Sequence, residues 1–138
     1  MAYDFTLSEI IPATPQQIYD AWLDSEGHTK MTGRTSIAST EIGAKYTAAY
    51  NYISGVNVEL VSGKRILQTW RTTDFTDSDP DSQIEVILEP ISGGTRLTLH
   101  HTNVPDDHTG YENGGWQTNY FEPMKKFFGE GISSTWPD

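Results

Sequence analysis

Between residues 3 and 11 apolar and polar side chains alternate, with Tyr3, Phe5 and Leu7 on one side, the period of a half-buried strand. Pro12 ends that run. Thr14, Pro15 and Gln17 then make a helix start, with a capping threonine, a proline at the first helical position and a glutamine closing a capping box. Ile18, Ala21 and Trp22 follow at helical spacing and predict a short amphipathic helix over 15–23. Asp24 and Ser25 open a second short helix that carries His28 and Met31, and Gly33 closes it.

From residue 34 to residue 102 the period falls to two. Tyr46, Ala48, Tyr50 and Tyr52 make one strand face, and Ser54-Gly55 reads as the turn after it. Val56, Val58 and Leu60 make the next inward row, and Ser62-Gly63 turns the chain into a strand over 64–71. Strands over 83–89 (Ile84, Val86, Leu88 inward) and 95–102 follow, joined by the tight Gly93-Gly94 hairpin. The last element is a long helix from Tyr111 to Phe128, its apolar face written by Trp116, Tyr120, Met124, Phe127 and Phe128. Pro123 is expected to kink it or distort its hydrogen bonding. Residues 129–138 read as a frayed tail.

A curved antiparallel sheet with one apolar face needs a cover, and the terminal helix is the element long enough to supply it. The expected class is therefore α+β: a sheet wrapped around a long C-terminal helix, a helix-grip domain over 1–128, with two short helices after the first strand. Such a sheet and helix often enclose a cavity.

Composition narrows the partners. A chain of 138 residues fits one domain, and an aromatic share of 12% gives it core-forming area despite a hydrophobic share of 36%. Nineteen Asp and Glu against nine Lys and Arg leave a net charge of −10, which argues against nucleic acid and anionic membrane surfaces. There is no cysteine, hence no thiolate chemistry or disulfide framework. The first residues carry neither a basic region nor a long apolar one, and no Asn-x-Ser/Thr sequon occurs, so a cytoplasmic protein is expected.

Five segments resemble a known group. They are Ile11 to Trp22, Gly63-Lys-Arg-Ile-Leu-Gln-Thr-Trp-Arg71, Asp79-Pro-Asp-Ser82, Gly93-Gly-Thr-Arg-Leu-Thr-Leu99 and Tyr120-Phe-Glu-Pro-Met124. In this order they resemble the START-like (SRPBCC, helix-grip) superfamily. More closely, they are similar to bacterial single-domain proteins related to the C-terminal domain of the 90-kDa heat-shock-protein ATPase activator. The resemblance implies the helix-grip fold. It also implies three functional classes: carriage of a small apolar molecule, cyclase- or hydrolase-type chemistry in the same cavity, and co-chaperone-like interaction in the stress response.

Among these, binding of a small, mostly apolar molecule, lipid-like or aromatic, is the first expectation, since apolar walls with a few polar tips make small-molecule pockets. Trp70, Trp116, Tyr120, Tyr50, Tyr52, Met124 and Met31 are the expected lining. His101 joins them because it shares a strand face with Leu97 and Leu99. Counting the alternation of the last strands brings Trp70 and His101 to the same end of the sheet. A histidine there has the pKa of an acid or base, with a tyrosine as its partner in the cyclase reading, although no residue is assigned as catalytic. Arg34 and Arg71 are each expected at the surface, as most arginines are, and either could clamp a ligand carboxylate at the pocket rim.

Asp77-x-Asp79-x-Asp81 matches the first half of a calcium loop, but Ser82 stands where the loop's glycine belongs and Leu88 where its bidentate glutamate belongs. It reads as a solvated acidic loop. No Gly-x-Ser-x-Gly elbow, His-Glu-x-x-His pair or phosphate loop is present, and neither metal nor cofactor is called for.

Overall fold

The structure is a computed structural model that describes residues 2–105 and 111–134. Six strands form one curved antiparallel sheet: β1 (Ala2–Ile11), β2 (Lys45–Ala48), β3 (Ile53–Val61), β4 (Arg65–Thr72), β5 (Ser82–Ile91) and β6 (Gly94–Pro105). Their spatial order is β1-β6-β5-β4-β3-β2, so every neighbour but one is a hairpin partner. Two short helices, α1 (Pro15–Trp22) and α2 (Ser25–Thr32), lie between β1 and β2. A helical segment from residue 111 to residue 134 closes the chain over the sheet. Among the described residues no helix is long and apolar enough to cross a membrane.

The helix ends form as their side chains dictate. Thr14 Oγ1 accepts from the Gln17 amide at 3.1 Å while Gln17 Oε1 accepts from the Thr14 amide at 2.8 Å, the reciprocal capping box. Asp24 caps α2 through the Gly27 amide, and Gly33 ends it in the left-handed region at φ 81°. Ile11, Ile18, Trp22, Ile66, Ile84, Val86, Leu97, Leu99, Phe121 and Met124 fill the space between sheet and helices.

The β2–β3 region departs from the alternation read in the sequence. The strand ends at Ala48, and Ala49, Tyr50 and Asn51 all turn left-handed, with φ of 51°, 61° and 83°. The turn therefore falls here, and Tyr50 and Tyr52 leave the strand face; Tyr50 is 65% exposed. Ser54-Gly55 lies inside β3. Gly55 is there for close approach. A Cβ at this position would lie 2.0 Å from the Thr69 carbonyl oxygen and 2.6 Å from the ring of Tyr46, its cross-strand partner, whose hydroxyl donates to that same carbonyl at 2.6 Å.

A bulge between Asn57 and Glu59 then shifts the parity of β3. Asn57 turns inward instead of Val56 and Val58, and Leu60 rejoins the core side after the bulge. An asparagine is stable at that buried site because its amide is fully engaged. Its Nδ2 donates to the carbonyls of Ser39 and Glu41, both at 2.9 Å, and its Oδ1 accepts from Gln68 at 2.9 Å.

The terminal helix is also less regular than expected. Two π-helical turns, Tyr111–Gly115 and Gln117–Phe121, precede α3 (Glu122–Ser134). Pro123 offers no N–H to the carbonyl of residue 119 and its ring crowds that carbonyl, so the preceding turn widens, with the Glu122 amide reaching Gln117. The widening brings Phe121 into the core beside Trp116, Tyr120, Met124 and Phe128. Helix α3 continues to Ser134, past the Phe128 end expected from the sequence; 135–138 lie outside the described residues.

Two substitutions test this packing. Trp22→Ala should cost about 3–5 kcal/mol in urea unfolding, the usual loss for a buried large aromatic. A cost near that of a surface change would mean that α1 presents its other face. Gly55→Ala should cost more than about 2 kcal/mol, because backbone must move to admit the methyl group; a neutral result would show that β3 and β4 lie further apart.

Candidate functional site

Two tryptophans set the site. Trp70 comes from the end of β4 and Trp116 from between the π-helical turns, with ring centroids 5.7 Å apart. Tyr111 stands edge-on to Trp70 at 5.1 Å, and Tyr120 packs on Trp116 at 4.9 Å. With Tyr52 and Ile53 from the start of β3, Arg34 after α2, and Asn119, these rings surround a cleft of about 50 Å³ that opens to solvent. Of the expected lining residues, Trp70, Trp116 and Tyr120 belong to its wall, together with Gly115.

His101 does not line the cleft; it stands behind it, 0% exposed, its ring 4.6 Å from that of Trp70. Its proton can be placed from its partners. The Trp116 indole N–H can only donate, and it reaches His101 Nδ1 at 3.1 Å. Nε2 therefore carries the proton and donates to Ser82 Oγ at 2.9 Å, whose hydroxyl donates in turn to the Trp70 carbonyl at 2.5 Å. Both ring nitrogens are occupied, and burial pushes the pKa down to about 3. The imidazole is a neutral strut between helix and sheet, without the free nitrogen that acid–base work on a ligand requires.

His28 is a second strut, from α2. Its Nδ1–H donates to the Trp22 carbonyl at 2.8 Å, and the Tyr120 hydroxyl donates to Nε2 at 2.7 Å. Burial lowers the pKa of this histidine and raises that of Tyr120, so both stay neutral at working pH. The sequence pointed to His28 as part of α2 but gave no signal of this role, since its partner lies ninety-two positions away.

The other expected lining residues separate. Tyr52 is at the cleft, its hydroxyl donating to Asp74 at 2.7 Å; burial and this bond push its pKa up to about 12. Tyr50 points into solvent. Met31 and Met124 are fully buried core residues and do not reach the cleft. Phe75, unremarked in the sequence, is buried against Trp70 at 6.3 Å and anchors the acidic loop. That loop is held by Arg71. Its guanidinium pairs with Asp81 at 2.7 Å, donates to the carbonyls of Thr76 and Asp79, and lies over Phe75. Asp79 Oδ2 accepts from the Thr76 amide. The Asp81 and Asp79 carboxylates thus face an arginine and the loop's own backbone. Arg71 is not a cleft residue; Arg34 is.

A curved antiparallel sheet closed by a C-terminal helix, with an aromatic cleft at one end of their contact, defines a START-like, SRPBCC-type helix-grip protein. The family described as Activator of Hsp90 ATPase homolog 1-like protein matches residues 12–129, and the chain belongs to it. The mouse activator of 90 kDa heat shock protein ATPase homolog 2 is 28% identical over 119 residues, 86% of this chain and 36% of that protein. Human homolog 1 is 25% identical over 126 residues, 91% and 37%. The chain thus spans about a third of the length of the curated relatives it matches. Among solved structures, an HSP90 activator from Plasmodium falciparum superposes with a TM-score of 0.80 at 21% identity, covering 92% of this chain and 96% of that one. The Aha1 dimer from Colwellia psychrerythraea gives 0.73 at 17%, covering 90% and 95%. At these identities the structures establish the fold.

The two buried histidines make stability depend on pH. Each has a folded pKa below its unfolded value near 6.5, so the unfolded chain binds the extra protons. Their contribution is complete above pH 6.5 and is lost as pH falls below it. Urea unfolding between pH 7 and pH 5, above most carboxylate titration, should show stability falling by up to about 1.4 kcal/mol per pH unit for each histidine. A flat profile would show that the rings are not held neutral.

Proposed function

We propose that the chain binds a small, mostly apolar molecule carrying an aromatic ring in the cleft between Trp70, Trp116, Tyr52 and Tyr111. The supporting observation is that four aromatic rings from three separate stretches of chain converge on an opening rather than fill it. About 50 Å³ is far below the roughly 300–1,000 Å³ of pockets for drug-sized ligands. A ring is favoured over an acyl chain because the walls themselves are rings, against which a flat π-face can stack. The walls that yield most easily are the left-handed 49–51 turn and the first π-helical turn, neither held by a regular ladder. The cyclase or hydrolase alternative loses its acid–base pair, because His101 is committed at both nitrogens.

Family membership favours a second reading, a co-chaperone-like module acting on a 90-kDa heat-shock ATPase. A cytoplasmic location is proposed with either reading.

The test uses N-phenyl-1-naphthylamine, a neutral dye. Binding should be saturable, and in NMR spectra it should move the indole N–H signals of Trp70 and Trp116 while leaving the outward-facing Glu85 and Arg96 in place. Dye binding without those shifts, or no binding, overturns the cleft reading. If purified protein then accelerates ATP hydrolysis by its cell's own 90-kDa heat-shock protein, the interaction module takes first place.

A further inference from the structure

Four cationic side chains among the described residues are half-buried: Arg34, Arg65, Arg71 and Lys125. Three of them end on carboxylates. Arg65 pairs with Glu59 and Glu85, Arg71 with Asp81, and Lys125 with Glu9. Arg34 pairs with no carboxylate among the described residues. Its guanidinium donates to a neutral acceptor, Asn119 Oδ1, at 2.8 Å, and both residues belong to the wall of the aromatic cleft. This is not for want of acids, since carboxylates outnumber Lys and Arg by nineteen to nine.

A partly desolvated charge without a counter-charge is unfavourable, and a guanidinium has five N–H donors to satisfy. Local structure nevertheless delivers it there. Gly33 ends α2 in the left-handed region immediately before Arg34, and the second π-helical turn brings Asn119 to meet it. Asp74, which accepts the hydroxyl of the cleft residue Tyr52, forms no pair with Arg34. The cleft therefore has an aromatic body and one cationic, hydrogen-bonding end.

We propose that Arg34 and Asn119 are the anion end of the cleft, and that its ligand is a planar aromatic carboxylate, the ring against Trp70 and Trp116 and the carboxylate on the Arg34 guanidinium. A carboxylate matches the flat fork of a guanidinium, which can give it two parallel N–H bonds. The Asn119 amide, whose oxygen already orients the arginine, keeps an NH₂ group to donate. This assignment rests on the cleft-binding reading above and adds charge and shape to it.

The experiment compares 2-naphthoate with 2-naphthamide, its neutral isostere, by titration at physiological salt. There screening over about 8 Å suppresses repulsion from the chain's overall negative charge. The wild-type protein should bind naphthoate at least tenfold more tightly than naphthamide. Arg34→Gln should reduce that preference to within about threefold, and Arg34→Lys should restore part of it. Hexanoate, an anion without a ring, should bind at least tenfold more weakly than naphthoate. A thermal melt of each variant reports folding, and the ratio of the two naphthalene ligands on one sample cancels any loss of folded protein. Equal affinity for both in the wild-type protein, or a preference that survives Arg34→Gln, overturns the anion assignment. If N-phenyl-1-naphthylamine still binds and moves Trp70 and Trp116, the cleft itself stands; if neither naphthalene ligand nor the dye binds, both readings fall.

Discussion

The indole N–H of Trp116 on the buried imidazole of His101 is the contact on which the placement of the C-terminal helix depends. Apolar packing alone is non-directional and would let a helix slide or rotate over a smooth sheet. A buried donor with one matching acceptor does not permit that, because slippage leaves two polar groups unsatisfied in an apolar interior. The contact is extended through Ser82 to the backbone of β4, so helix, β6, β5 and β4 are joined in one line. A parallel device holds the front of the molecule. Trp22 donates to Gln68 at 3.3 Å, Gln68 to Asn57, and Asn57 to the loop before β2. Trp22 also stacks near Tyr120, which bonds His28, so the two short helices and the long one share a common polar fastening. Satisfied networks of this kind favour a single register over its neighbours.

Much of the fold was legible because it is written in short-range rules. The Thr14–Gln17 box, the Gly33 stop and the Gly93-Gly94 hairpin each lie within a few residues of what they control. The inward row Leu97, Leu99, His101 follows from period two alone, and the up-down-up count of strands placed Trp70 beside His101. What escaped was decided over longer distances. In Ala49-Tyr50-Asn51 only Asn51 is of a type that favours the left-handed region, too little to mark three consecutive left-handed residues. The sequence therefore points to Ser54-Gly55 as the turn, whereas that glycine serves the close approach of the Tyr46 ring. The β3 bulge has no local mark either, and it lets Asn57 before it and Leu60 after it both face inward.

The site was legible to a similar depth. The aromatic positions Trp70, Trp116 and Tyr120 could be named because bulk and face follow from spacing, whereas Tyr52 reaches the cleft only through the left-handed 49–51 turn. Whether a given inward side chain meets space or a neighbour could not, since that depends on partners such as Ser82 for His101, nineteen residues away. Met31 and Met124 are apolar and correctly inward, yet they occur in the filled part of the interior. Arg34 was visible as a rim cation. Its lack of a carboxylate partner among the described residues becomes apparent only once every other half-buried cation there is seen to have one.

These features bear together on what the gap between sheet and helix can hold. A helix-grip fold leaves variable space there, and each chain fills it in its own way. In this one the deep part is closed by side chains that satisfy one another: His101 with Trp116 and Ser82, His28 with Tyr120 and the Trp22 carbonyl. Both imidazoles are spent as neutral struts, so their removal from catalysis and the rigidity of the rear wall have the same cause. The unfilled space is displaced to the mouth, where the 49–51 turn and the first π-helical turn meet. There the walls are flat rings and the one polar end is a guanidinium with donors to spare. A rear wall closed by its own side chains, a mouth walled by flat rings and a guanidinium at one end are the features that support the proposed short, flat, anionic guest.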